Sequence, residues 1–219
     1  MPATYLRMIP ENLQLGNFTY KEWPDMDAAL RDQSINTAET AKTVDSDFVK
    51  AKEKAYTFTN YVTYTKETST QIWFFKNNDM VGCLFLAKIN PPYPGCDGPK
   101  DFLCGSQPEP TYKYSDDFVE GMVRLLIWLF VNDKVDMIYG KALQLELNGK
   151  WEEGSAFCDS KRAAAWPREI DIVDDTLQLD GNKARFVVVK IRKPANIDLV
   201  DPNVFIANMP KFMSYWRNK

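Results

Sequence analysis

The chain has 219 residues, 45% of them hydrophobic and 26% charged, with 13 Phe, 10 Tyr, 6 Trp and a net charge of −3. That much core-forming material excludes a disordered polypeptide, and a chain of this length buries its apolar surface without disulfide or metal staples, as one large domain or two small ones. There is no histidine, which excludes Ser-His-Asp and Cys-His nucleophilic pairs, His-ligated zinc and a histidine general base.

The remaining composition narrows compartment and partners. Cys83, Cys96, Cys104 and Cys158 form no CxxC pair, so no metal site is expected and the thiols are expected to be reduced. Leu125–Val131, the longest unbroken apolar run, is far too short to span a membrane, and the N-terminus carries no cationic apolar signal. A cytoplasmic protein with no membrane and no nucleic-acid partner is expected. The acidic balance argues against phosphate-backbone binding, and the basic stretch 180–219 reads as a solvated surface.

In chain order, Tyr5–Ile9 predicts a short strand and Asp25–Arg31 a helical turn after Pro24. Ala41, Val44, Phe48, Ala51 and Ala55 recur at helical spacing and predict an amphipathic helix over 37–56, while 56–65 fits helix end or strand. Gln71–Phe75 and Met80–Ile89 flank Asn77-Asn78-Asp79 and predict an antiparallel hairpin. Six prolines between 90 and 110 predict an irregular excursion holding at most one strand, Phe102–Ser106. Ser115 reads as an N-cap followed by Asp116 and Asp117 in a first turn, and the helix runs to about Asn132 with Leu125–Phe130 apolar on every face, the mark of a buried central helix. Beyond it come a strand over 135–147, a weaker helix around 156–165, and a hairpin of 176–179 with 184–191 turning at Asp180-Gly181-Asn182. The order predicts an α/β fold.

One stretch carries a resemblance. Pro110-Thr111-Tyr112-Lys113-Tyr114-Ser115-Asp116-Asp117-Phe118-Val119-Glu120-Gly121 aligns without a gap on the cofactor segment Pro-Glu-Tyr-Arg-Gly-Lys-Gly-Tyr-Ala-Thr-Glu-Ala, and Leu125, Leu126, Trp128 and Phe130 continue the register. With the 71–89 hairpin and 135–142, the chain resembles the GCN5-related N-acetyltransferase (GNAT) family, in particular its ribosomal-protein acetyltransferase-like branch. The resemblance covers roughly residues 70–192. It implies a single GNAT-like domain, a mixed, mostly antiparallel sheet flanked by helices over 37–193. An N-terminal extension (1–36) and a C-terminal aromatic and basic segment (194–219), packing on the body or on a partner, lie outside it.

The resemblance also implies a site. Lys113, Tyr114, Ser115, Asp116 and Asn148 take the positions of coenzyme A contacts, and Glu146 is the candidate general base. The tyrosine that active members use to reprotonate the thiolate has no counterpart, since 155–166 contains Cys158 and no Tyr. The family's two glycines let helix N-terminal amides close around a diphosphate. Here they are Tyr114 and Asp116, adding bulk and charge where two like charges about 4 Å apart cost roughly 4 kcal/mol at an effective dielectric near 20. Two functions follow from the resemblance. One is an N-acetyltransferase that passes an acetyl group from acetyl-CoA to an amine-bearing protein or small molecule, chemistry that needs no histidine. The other is a non-catalytic GNAT-fold protein, including the phage-encoded kind, that has lost coenzyme A, takes no cofactor and binds a protein partner.

Overall fold

The structure is a computed structural model and describes residues 7–27, 30, 69–88, 92–112, 115–153, 168–179 and 181–208. The helices expected over 37–56 and around 156–165, the segment 56–65, Cys158 and the terminal aromatics Phe212, Tyr215 and Trp216 lie outside the described residues.

Turn residues set the hairpins. Asn77 and Asn78 take positive φ (53° and 70°), a conformation Asn tolerates best after Gly, and join β3 (Ser69–Lys76) to β4 (Asp79–Ala87). Asn148 and Gly149 do the same (52° and 74°) between β6 (Met137–Leu147) and β7 (Lys150–Glu153). Gly181, at 77°, turns β8 (Arg168–Leu179) into β9 (Asn182–Arg192). With β1 (Leu13–Leu15), β2 (Phe18–Glu22) and β5 (Asp101–Pro108), these strands form one sheet in the order β1-β2-β3-β4-β5-β6-β9-β8, with β7 paired to β6 off that path. Every pairing is antiparallel except β5–β6, whose parallel crossover is the helix α1 (Asp116–Val131).

The α1 cap is as the sequence predicts. The Ser115 hydroxyl accepts from the Phe118 backbone N–H at 3.1 Å, and Asn132 closes the other end with its side-chain amide on the Trp128 carbonyl at 2.9 Å. Ser115→Ala is expected to lower stability by about 1 kcal/mol, read as a melting temperature lower by about 2–4 °C. An unchanged melting curve would show that the hydroxyl contributes nothing to the helix start.

Alternation along the strands builds two layers. Phe18, Tyr20, Ile72, Phe74, Leu84, Leu86, Phe102 and Ile138 pack under α1, whose residues from Phe118 to Phe130 are mostly buried. The Phe74 ring stands against Phe118 (centroids 5.7 Å apart), Tyr20 (5.9 Å) and Phe18 (6.4 Å). The Tyr20 hydroxyl donates to the Gly121 carbonyl at 2.7 Å, and burial holds that phenol far above its ordinary pKa. The opposite face carries Trp73, Phe75, Met80 and Cys83 with Met26, then Phe85, Leu103, Tyr139, Val188 and Cys96. Cys104 packs on the α1 side, so the sheet separates it from Cys83 and Cys96, and no disulfide joins any of the three.

Two expectations need correction. Met8 and Ile9 are buried but form no strand; the Met8 N–H donates instead to the buried Glu22 carboxylate at 2.8 Å. Of the helical turn expected over Asp25–Arg31, residues 28, 29 and 31 lie outside the described residues; Trp23–Asp25 is a 3-10 turn, and beyond it Leu30 is helical, its N–H capped by the Asp27 carboxylate at 2.9 Å. The hairpin strand read as 176–179 begins at Arg168. Residues 13–22 supply two strands of the main sheet, and the C-terminal stretch supplies α2 (Pro202–Asn208), whose Phe205 and Ile206 pack against the core beneath α1. None of the described helices is long and apolar enough to cross a membrane.

Candidate active site

The parallel seam between β5 and β6 is short. Only Asp101–Met137, Phe102–Ile138 and Leu103–Tyr139 are in register; beyond them β5 continues along β4 to Pro108, while β6 turns with β9. On the side of β6 that faces β5, the strand is paired again only from Gln144, by β7. Because Gln144 and Leu145 pair with β9 and with β7 at once, β7 lies on the β5 edge and caps the gap at its outer end. Among the described residues Gly140–Leu143 therefore has no strand on that side, a slot of four residues, or about 13 Å at 3.3 Å per residue.

Small residues keep the slot narrow at its base and open above. A Cβ on Gly140 would stand 3.1 Å from the Cys104 carbonyl, so β5 and β6 still lie close where they begin to part and a side chain there would be tight. On β5, a Cβ on Gly105 would fall 1.7 Å from the Phe85 ring, which therefore lies flat across that position on the face away from α1. On that same face Tyr139 meets Tyr93 edge-to-face at 6.0 Å.

The helix start bears a different charge from a phosphate cradle. Asp117 pairs with Lys76 Nζ at 2.7 Å, a bond that raises the lysine pKa, and Phe118 stacks on Phe74, which seats the first turn of α1 over β3 and β4. Burial, then the charges of Asp79, Asp117 and Glu109, push the Tyr112 phenol up. Asp117 and Glu120 thus face Lys76, and Asp79, Glu109 and Asp117 face Tyr112, so the described side chains at the helix start are mostly acidic. Ser115 spends its oxygen on the cap, and Lys113 and Tyr114 fall outside the described residues.

The other two site expectations are placed away from the slot. Asn148 is exposed in the β6–β7 turn, where its positive φ explains the Asn-Gly pair. Glu146 lies three residues beyond Leu143, about 10 Å farther along the strand, opposite Trp151 and 3.8 Å from Lys183 Nζ. The structure does not bring it together with Ser115 or Asp116.

The donor set fits one half of coenzyme A better than the other. An extended, amide-bearing arm can add to exposed strand edges as a peptide does, and the slot presents such edges. The diphosphate does not fit the described residues at the helix start, because the carboxylates there oppose it and the cap consumes one of the orphan amides.

No known family's sequence pattern matches the chain, and no curated protein sequence does. Solved structures do. An aminoglycoside 6'-acetyltransferase type Ii is 10% identical, with a TM-score of 0.50 over 80% of this chain and 97% of its own. The ribosomal-protein-S18-alanine N-acetyltransferase from Escherichia coli is 8% identical, with a TM-score of 0.49 over 80% and 94%. With the strand order and the parted β5–β6 seam, the match to the first of these shows that the chain has the GCN5-related N-acetyltransferase fold.

Proposed function

We propose that the protein is an N-acetyltransferase that holds acetyl-CoA by its pantetheine arm in the β5–β6 slot and presents the acyl group to an amine arriving from the face away from α1. The observation that carries this reading is the four-residue slot, bounded by the three-pair seam below and by β7 above. Bound acetyl-CoA supplies the activated acyl group. The chain's part is to orient that group against the strand edges and to shield one side with the Phe85 and Tyr139 rings. Glu146 remains the proposed base only for a substrate long enough to bridge the distance from the slot.

A second reading, a GNAT fold kept for binding without turnover, is favoured by one feature, the carboxylates around the α1 start. Calorimetric titration with acetyl-CoA separates the two. The acetyltransferase reading expects saturable binding, tightened about two- to fivefold in Asp116→Asn, the equivalent of the 0.3–1 kcal/mol that a charge at a helix start is worth. If neither form binds below about 100 µM, the acetyltransferase reading fails and the non-catalytic one stands.

A further inference from the structure

The turn between β6 and β7 sets two groups side by side that can react with each other. Asn148-Gly149 is the one Asn-Gly step in the chain, and both residues are exposed. Both take positive φ (52° and 74°), and Leu147 pairs with Lys150 across them, the geometry of a two-residue type I′ turn. Neither the Gly149 N–H nor the Asn148 carboxamide makes a hydrogen bond among the described residues. A Cβ at Gly149 would meet nothing within 4 Å, so the space around that nitrogen is open.

Asparagine is a thermolabile residue because its carboxamide carbon can be attacked by the backbone nitrogen of the residue that follows. A side chain on that residue hinders the approach, and glycine has none. Every other asparagine here precedes a residue that carries a side chain. In the reaction a bond forms from Gly149 N to Asn148 Cγ, the Cγ–Nδ2 bond breaks, and ammonia leaves with the amide proton. Water then opens the succinimide. Attack at Cγ gives aspartate, whereas attack at the main-chain carbonyl gives isoaspartate, in which the chain runs through Cγ and the α-carboxylate is free. Each event consumes a water and releases an ammonia, with no change of oxidation state.

β7 depends on this turn. It is four residues long and pairs with β6 alone, whereas β6 is also held by β9 from Met137 to Leu145. The length of a two-residue turn fixes the register of the strands it joins. Isoaspartate adds a carbon to the main chain inside the turn, so Leu147 and Lys150 no longer meet, and the strand with less to hold it gives way. β7 is also what closes the slot at its outer end.

We infer that Asn148 is a site of spontaneous deamidation, and that isoaspartate at this position releases β7 and opens the outer end of the β5–β6 slot. Neither step depends on what the slot binds. The test ages the full chain in neutral buffer beside Asn148→Gly, which accepts positive φ but has no carboxamide. Peptide mass mapping should find deamidation at Asn148 before any other asparagine, and an isoaspartate carboxyl methyltransferase with labelled S-adenosylmethionine should mark the same peptide. In the fraction that carries isoaspartate, hydrogen exchange over Lys150–Glu153 should rise about tenfold, with β9 unchanged and with no rise in aged Asn148→Gly. A sample aged in urea shows what the unfolded chain does. Conversion in urea with Asn148 intact in the folded protein, or earlier conversion at another asparagine, would overturn the site. Isoaspartate formed with exchange over β7 unchanged would overturn the release of the strand.

Discussion

Phe74→Ala is expected to cost about 3–5 kcal/mol, lowering the melting temperature by roughly 6–20 °C at about 2–4 °C per kcal/mol. The ring is fully buried and stands against Phe118, Tyr20 and Phe18, so it joins the first turn of α1 to two strands at once. Gly121 adds to the cost of a hole there. A Cβ at Gly121 would lie 2.7 Å from the Phe74 ring, so the helix backbone already rests on that ring and cannot settle further without moving the whole turn. Phe74→Leu keeps most of the volume and should cost less than half as much. Thermal unfolding of the two variants checks the ordering, and equal melting temperatures would mean that the ring contacts add nothing beyond hydrophobic volume.

Gly105→Ala carries the second large effect. The added methyl would start 1.7 Å from Phe85, so the ring must leave its place between Gln71 and the slot, at an overpacking cost of about 1–3 kcal/mol. The methyl and the ring are coupled. In a Phe85→Ala background the same methyl has room, and its cost should fall to a few tenths of a kcal/mol. A double-mutant cycle by chemical denaturation measures this coupling. If Gly105→Ala costs the same in both backgrounds, its effect comes from the backbone and not from the ring.

How much of this was legible in the sequence depends on whether a signal was local. Asn77-Asn78, Ser115 with its following acids, and the solid apolar run Leu125–Phe130 each act within a few residues, and each gave the right element. Asn148-Gly149 is equally local, and the pair stands in the β6–β7 turn. The first half of β8 is hard to read because the alternation Glu169-Ile170-Asp171-Ile172 is broken by Val173 and two further acids, and its apolar residues are exposed on an edge strand. β1 and β7 were too short to register as patterns. The slot was out of reach for another reason. It exists only because β5 and β6, separated by a whole helix, share three pairs and then follow different neighbours, and register between distant strands leaves no mark in either segment. The resemblance points to the helix start and to Glu146, and the parting of β5 from β6 adds a feature that no single segment shows.

The two outer strands have a consequence for how this protein lives at high concentration. Among the described residues, the main path of the sheet ends at β1 and β8, each with a row of backbone groups that a neighbouring molecule could extend into a ribbon. At one end β1 is three residues long, too little template for another chain to grip. At the other, β8 leaves Ile172 and Val173 half exposed, but Glu169, Asp171, Asp174 and Asp175 flank them, and its pairing with β9 shifts register twice. A second copy laid antiparallel about that apolar pair would set Asp171 against Asp174 on both sides, carboxylate facing carboxylate along a kinked edge. The acids that hid this strand from a reading of the sequence are the ones that keep it from recruiting its own kind.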